Sequence, residues 1–142
     1  MTYKNIYVAQ ISMGMNPEAA VKAFKEAEEY DGPALIIAYA HCIAHGINLS
    51  TGLEHQKMAV ETGHFPLFRY NPDAAAAGKN PLTLDSNGPS KKFSESQAGA
   101  ENRFKQLAKM NPEEAKKMFE AADAFYSRKY DYLQALAALN VY

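Results

Sequence analysis

GPALIIAYAHCIAHG, residues 32–46, decides how this chain is read. Its run ALIIAYA, residues 34–40, is continuously apolar over the length of a strand, which fits a strand buried on both faces of a parallel sheet; a half-wetted strand would alternate. The run ends abruptly in His41, Cys42, His45 and Gly46. Ligands of parallel sheets bind beyond the carboxyl ends of the strands, and Cys42, the single cysteine among 142 residues, stands there. Three readings of Cys42 are open from spacing alone. It is a small buried side chain, a metal ligand beside His41 and His45, or a nucleophile paired with a histidine. A structural zinc needs four ligands, and His55 and His64 have no paired spacing with the first cluster. A nucleophile needs a base and an oxyanion hole, neither of which can be named from these residues.

Working outward, residues 6–12 (IYVAQIS) are β-branched and aromatic enough for a strand, followed by a turn at Met13-Gly14-Met15. Asn16-Pro17-Glu18 opens a helix, with Asn as N-cap and Pro in the first turn. Its apolar stripe is Ala20, Val21, Phe24 and Ala27, and residues 30–33 stop it. Strand, helix and strand within about 35 residues form a right-handed crossover, so the two strands should be parallel neighbours. A second helix is expected from Ser50 or Thr51 to Gly63, carrying Leu53, Met58 and Val60, and residues 65–70 (FPLFRY) read as a third strand. The expected class is α/β: a partial doubly wound parallel sheet, β-α-β-α-β, over residues 1–72.

Residues 73–93 read as an irregular connection with one short strand at 82–84, and residues 94–142 as a C-terminal helical pair. Ser94 to Gln97 has capping-box spacing and opens a helix facing inward with Ala100, Phe104, Leu107 and Ala108. Asn111-Pro112-Glu113-Glu114 repeats the device. The last helix then buries Ala115, Met118, Phe119, Ala122, Tyr126, Leu133 and Leu136. This pair reads as structural.

Composition excludes several classes. Hydrophobic residues are 47% and charged ones 22%, so a core is expected rather than disorder. Fifteen basic residues against sixteen acidic ones leave a net charge of -1 with no basic stripe, which argues against a nucleic-acid partner. Gly14 stands alone after the first strand, so no phosphate-cradling loop is present. No apolar run reaches the length of a membrane span, the first ten residues lack a signal-peptide pattern, and a single cysteine makes no internal disulfide, so a cytoplasmic location is expected.

Four blocks carry a resemblance: GPALIIAYAHCIAHGIN (32–48), QKMAVETGHFPLFRYNP (56–72), GKNPLTLDS (78–86) and AENRFKQL (100–107). In order and spacing they resemble the C-terminal part of pyruvate:ferredoxin (flavodoxin) oxidoreductases. The likeness begins at YVAQISMGMN (7–16) and runs through the last helix. It implies a piece of an enzyme that oxidatively decarboxylates pyruvate on thiamine diphosphate with Mg, passes electrons through [4Fe-4S] clusters to ferredoxin or flavodoxin, and forms acetyl-coenzyme A. The matched region is similar to the end of the thiamine-diphosphate-binding domain. By position, Cys42 corresponds to one ligand of a [4Fe-4S] cluster whose three other cysteines lie upstream in the family, and His41 and His45 then become packing neighbours. The family's GDG and Asn diphosphate motif has no counterpart here, so no catalytic or thiamine-contacting residue is assigned. The resemblance therefore implies that the isolated chain binds neither cofactor and is inactive alone. Its partner is the remainder of the oxidoreductase, and self-association of the half sheet is expected. The competing reading is a noncatalytic interaction module that keeps the fold and binds through an exposed sheet face; a standalone zinc or thiol enzyme is the third.

Overall fold

The computed structural model describes residue 1 and residues 3–139. Strand β1 (Tyr7–Ile11) and strand β2 (Ala34–Ala38) are parallel neighbours joined by helix α1 (Pro17–Glu29), as the crossover requires. Asn16 caps α1 by accepting the Ala19 N–H at 2.9 Å. Beyond β2 the chain makes single 3-10 turns at Ile43–His45 and Leu49–Thr51, then helix α2 (Gly52–Glu61). There follow β3 (Phe68–Tyr70), α3 (Pro72–Ala76), β4 (Leu82–Leu84), α4 (Gln97–Ala100), α5 (Asn102–Met110) and α6 (Pro112–Ala138). Residues 140–142 of the expected C-terminal segment lie outside the described residues.

The α/β class with a parallel crossover and trailing helices is present, in a mixed sheet of order β2-β1-β3-β4. The third strand departs from the β-α-β-α-β expectation: β3 runs antiparallel to β1, with Arg69 opposite Ala9, and β4 runs antiparallel to β3. The reason lies in α2. A parallel return needs a helix running back along the sheet, whereas α2 sits across the carboxyl end of β1. There Gln56 accepts the Gly14 N–H at 2.9 Å, and the Gln10 side chain donates to the Pro66 carbonyl at 2.7 Å. The chain therefore re-enters the sheet from the end at which β1 leaves it.

Alternation sorts the core into two layers. Tyr7, Ala9 and Ile11 of β1 face α1 and pack with Ala20 and Ala23. Val8, Phe68, Tyr70 and Leu82 face α6 and pack with its Leu133. Two expected buried surfaces are instead open. On α1, Val21 and Phe24 are about half exposed, because the helix turns its small alanines to the sheet. On β2, Leu35 is 51% and Ile37 39% exposed, because β2 is an edge strand rather than an interior one. On α6, Ala115 and Leu133 are buried while Met118 is exposed. The Ser94 capping box also fails to form. Its N–H and hydroxyl donate to Asp123 instead, and the backbone is extended at Glu101, dividing the expected helix into α4 and α5.

On the α1 side of the sheet, one buried cation ties β3 and the segment after β4 to α1. Arg69 Nε donates to Asp85 Oδ2 at 2.7 Å and Nη2 to Asp85 Oδ1 at 2.9 Å, while Nη1 donates to Glu26 Oε1. The Tyr7 hydroxyl donates to the other Glu26 oxygen at 3.0 Å. Burial, then the Glu26 hydrogen bond, holds the Tyr7 phenol above its ordinary range. Removing one partner of a buried ion set strands the other charges, so Arg69→Ala should cost about 3–5 kcal/mol in urea unfolding. Lys91→Ala, which removes a half-exposed partner of Glu61, should cost less than about 1 kcal/mol. Equal midpoints for the two variants would refute the role given to Arg69.

Candidate functional site

The site lies beyond the carboxyl ends of β1 and β2, where three chain segments meet: the turn after β1, the loop at residues 39–46, and the start of α2. Cys42 takes an extended conformation just before the Ile43–His45 turn, its carbonyl accepting the His45 N–H at 3.0 Å. Its thiol is exposed, so the small buried hydrophobe of the spacing argument is not what the structure holds.

Both flanks of Cys42 are anchored, to different elements. On one side, Gln56 stitches two loops together: its carbonyl accepts from Gly14, which leaves its amide to donate to His41 Nδ1 at 3.1 Å. That places the His41 proton on Nε2. The His41 ring lies so close to Gly52 that a Cβ there would fall on it. On the other side, Arg103 Nη1 lies 3.3 Å from His45 Nε2, which directs the Nδ1 proton toward Glu101 Oε2 at 3.7 Å. Gly46 closes the turn at φ 70°, a left-handed conformation that favours glycine, and Asn102 packs against it.

Glu101 is the centre of this second anchor. It is 1% exposed, receives Gln97 Nε2 on Oε1 at 3.1 Å, and has His55 Nδ1 3.9 Å from the same oxygen. Arg103 Nε stands 2.8 Å from Oε2 as an ion pair whose angle does not complete a hydrogen bond. Spacing alone does not single out Glu101 and Arg103 as site residues, because both fall in a helical pattern that reads as structural. Their signal in the sequence is the AENRFKQL block of the resemblance, which contains both. The extended backbone at Glu101 turns that carboxylate inward beneath the Cys42 loop.

His45 and His55 both face the Glu101 carboxylate, and the other two histidines lie elsewhere. His41 goes to α2 and His45 to the start of α5, while His64 stacks on Tyr126 with ring centroids 5.2 Å apart. Among the described residues, no three of His, Cys, Asp and Glu converge in a geometry that holds a metal ion. A [4Fe-4S] cluster takes four thiolates, and Cys42 is the single cysteine of this sequence, so these residues hold at most one ligand of such a group. No helix of the described residues is long and apolar enough to cross a membrane.

Comparison with known proteins places the geometry in a wider context. The chain is 52% identical over 141 residues to a pyruvate-flavodoxin oxidoreductase of Trichormus variabilis, covering 99% of this chain and 12% of that protein. It is 44% identical over 137 residues to the pyruvate:ferredoxin oxidoreductase of Moorella thermoacetica, covering 96% of this chain and 12% of the relative. Against a probable pyruvate-flavodoxin oxidoreductase of Escherichia coli the identity is 42% over 137 residues, again 96% and 12%. The chain thus spans about one eighth of the length of these relatives. No protein-family profile matches it.

Burial, above all, lowers the basicity of His64, and its Nδ1 is buried without a partner. The unfolded chain then takes up a proton near pH 6.5 while the native state resists it, so stability falls as pH drops below about 6.5. In His64→Phe, the curve of unfolding free energy against pH should be shallower between about pH 6.5 and 5 than in the unmodified protein. Superimposable slopes would show that His64 does not titrate with folding.

Proposed function

On the premise that this chain is homologous, over nearly its whole length, to one segment of the pyruvate-flavodoxin oxidoreductases, we propose that it serves as that segment in such an enzyme. The whole enzyme would convert pyruvate and coenzyme A to acetyl-coenzyme A and carbon dioxide, releasing two electrons to flavodoxin or ferredoxin. Thiamine diphosphate with Mg would supply the electron sink for decarboxylation and [4Fe-4S] clusters the one-electron relay. This chain's part is narrower. It would close one side of the thiamine-diphosphate-binding domain and present the Cys42 thiolate as one cluster ligand, with the other thiolates supplied by the rest of the polypeptide. Such an enzyme belongs in the reducing cytoplasm, where a free thiol persists.

The observation that carries this reading is the exposed Cys42 thiol on a loop held from both sides. A ligand at the rim of a shared cluster has to face outward from its own segment, and its backbone has to be fixed, because a wandering ligand loses metal affinity. His41 and His45 serve the second requirement. They orient the loop through Gln56 and through Glu101 with Arg103, and neither is a ligand.

The test is a graft in which this chain replaces the matched segment of the Trichormus variabilis protein. The grafted enzyme should reduce flavodoxin with pyruvate and coenzyme A. Cys42→Ala in the graft should lower that rate at least about 100-fold and remove up to four iron atoms per chain while the protein stays folded. Unchanged iron and sulfide content in the Cys42→Ala graft would exclude the assignment of Cys42.

A further inference from the structure

The sheet ends in two edges of unequal character. β4 is three residues long, and its Leu82 face packs on Leu133 of α6. β2 is five residues of uncharged apolar sequence, ALIIA, with no proline, bulge or charge to blunt it. Proteins guard exposed edges with such devices because a bare row of N–H and C=O groups recruits another strand.

The hydrogen bonding shows which groups are bare. Tyr7 N–H donates to the Pro33 carbonyl at 3.0 Å, and Tyr39 N–H donates to the Ile11 carbonyl at 3.0 Å. A parallel ladder alternates, so residues 33, 35, 37 and 39 bond to β1. The N–H and C=O of Ala34, Ile36 and Ala38 point to the outer edge, where no strand of the described residues pairs with them. The faces repeat the message. Leu35 and Ile37 lie in register with Val8 and Gln10, on the side that α6 covers over β1, yet they remain exposed.

We infer that β2 is built as an interior strand, and that its outer edge pairs with a further apolar strand contributed by the remainder of the oxidoreductase polypeptide. This rests on the function proposed above, and the length of the relatives argues for that occupant, because the chain spans about one eighth of them. A second copy fits less well. A two-fold pairing of β2 with itself would join two bare Leu35 and Ile37 rows and cover neither.

The experiment is residue-resolved hydrogen exchange on the isolated chain and on the same chain grafted into the Trichormus variabilis protein. In the isolated chain, the Leu35 and Ile37 amides should be protected while those of Ala34, Ile36 and Ala38 exchange freely. In the graft, those three should slow by roughly 100-fold or more. Ala38→Pro removes only an outward N–H, which an edge strand tolerates. It should leave the melting temperature of the isolated chain within about 2 °C, yet restore fast exchange at Ala34 and Ile36 in the graft or prevent its assembly. An active graft in which Ala34, Ile36 and Ala38 still exchange freely would overturn the edge pairing and leave the proposed function standing. A graft that never assembles, beside an intact relative that does, would overturn both. Protection of the three amides in the isolated chain, with a dimer in sedimentation, would assign the edge to a second copy and overturn the inference.

Discussion

The Arg69 guanidinium is the constraint on which the rest of this fold depends. Taking a cation out of water costs several kcal/mol, and only near-complete pairing offsets that cost. Two carboxylates provide the pairing: Asp85 just beyond β4 and Glu26 on α1. The residue opposite Arg69 on β1 is Ala9, small enough for the guanidinium to pass over β1 and reach the helix. One side chain therefore joins three elements: α1, β3 and the chain just after β4. It also explains why α1 turns Ala20 and Ala23 inward and leaves Val21 and Phe24 out. Glu26 lies one turn beyond Ala23 on the same face, and its bonds to Arg69 and Tyr7 hold that face against the sheet.

From this frame follows the shape of the strand-end region. β3 enters the sheet from the carboxyl end of β1, and α2 lies across that end. Its Gln56 then meets both Gly14 and His41. The opposite anchor is built from farther along the chain. Phe93, 3% exposed, makes edge contacts to Phe104 at 5.0 Å, Tyr126 at 5.5 Å and Phe119 at 5.9 Å between ring centroids, joining α5 to α6. Tyr39, at the end of the β2 run, meets Phe65 at 5.1 Å. Aromatic packing of this kind is directional as well as apolar, and it holds the Glu101 to Arg103 segment beneath the Cys42 loop. The result is an exposed thiol on a loop anchored from both sides.

The open surfaces and the anchored thiol belong to one picture. The β2 strand is apolar on both faces, is paired on one edge only among the described residues, and is followed four residues on by the exposed Cys42. The identity to relatives about eight times longer agrees with that picture.

Sequence alone determined the features that depend on near neighbours and on kinship. The Asn16-Pro17 cap, the β1-α1-β2 crossover, the short strand at Leu82–Leu84 and the Asn111 cap of α6 are all local, and each was legible from spacing. The order of four blocks carried the relationship to the oxidoreductases, which no single residue type conveys. Tertiary structure alone decided the direction of β3, the edge position of β2, the outward face of α1 and the place of Glu101 under the loop. Each of these turns on a contact between residues far apart in the chain: Arg69 with Glu26, Gln56 with Gly14, His45 with Glu101. Periodicity reports which side chains avoid water, but not which partner will cover them. The ALIIAYA run therefore revealed a strand made for burial, and only the sheet order showed that within these residues one side of it is bare.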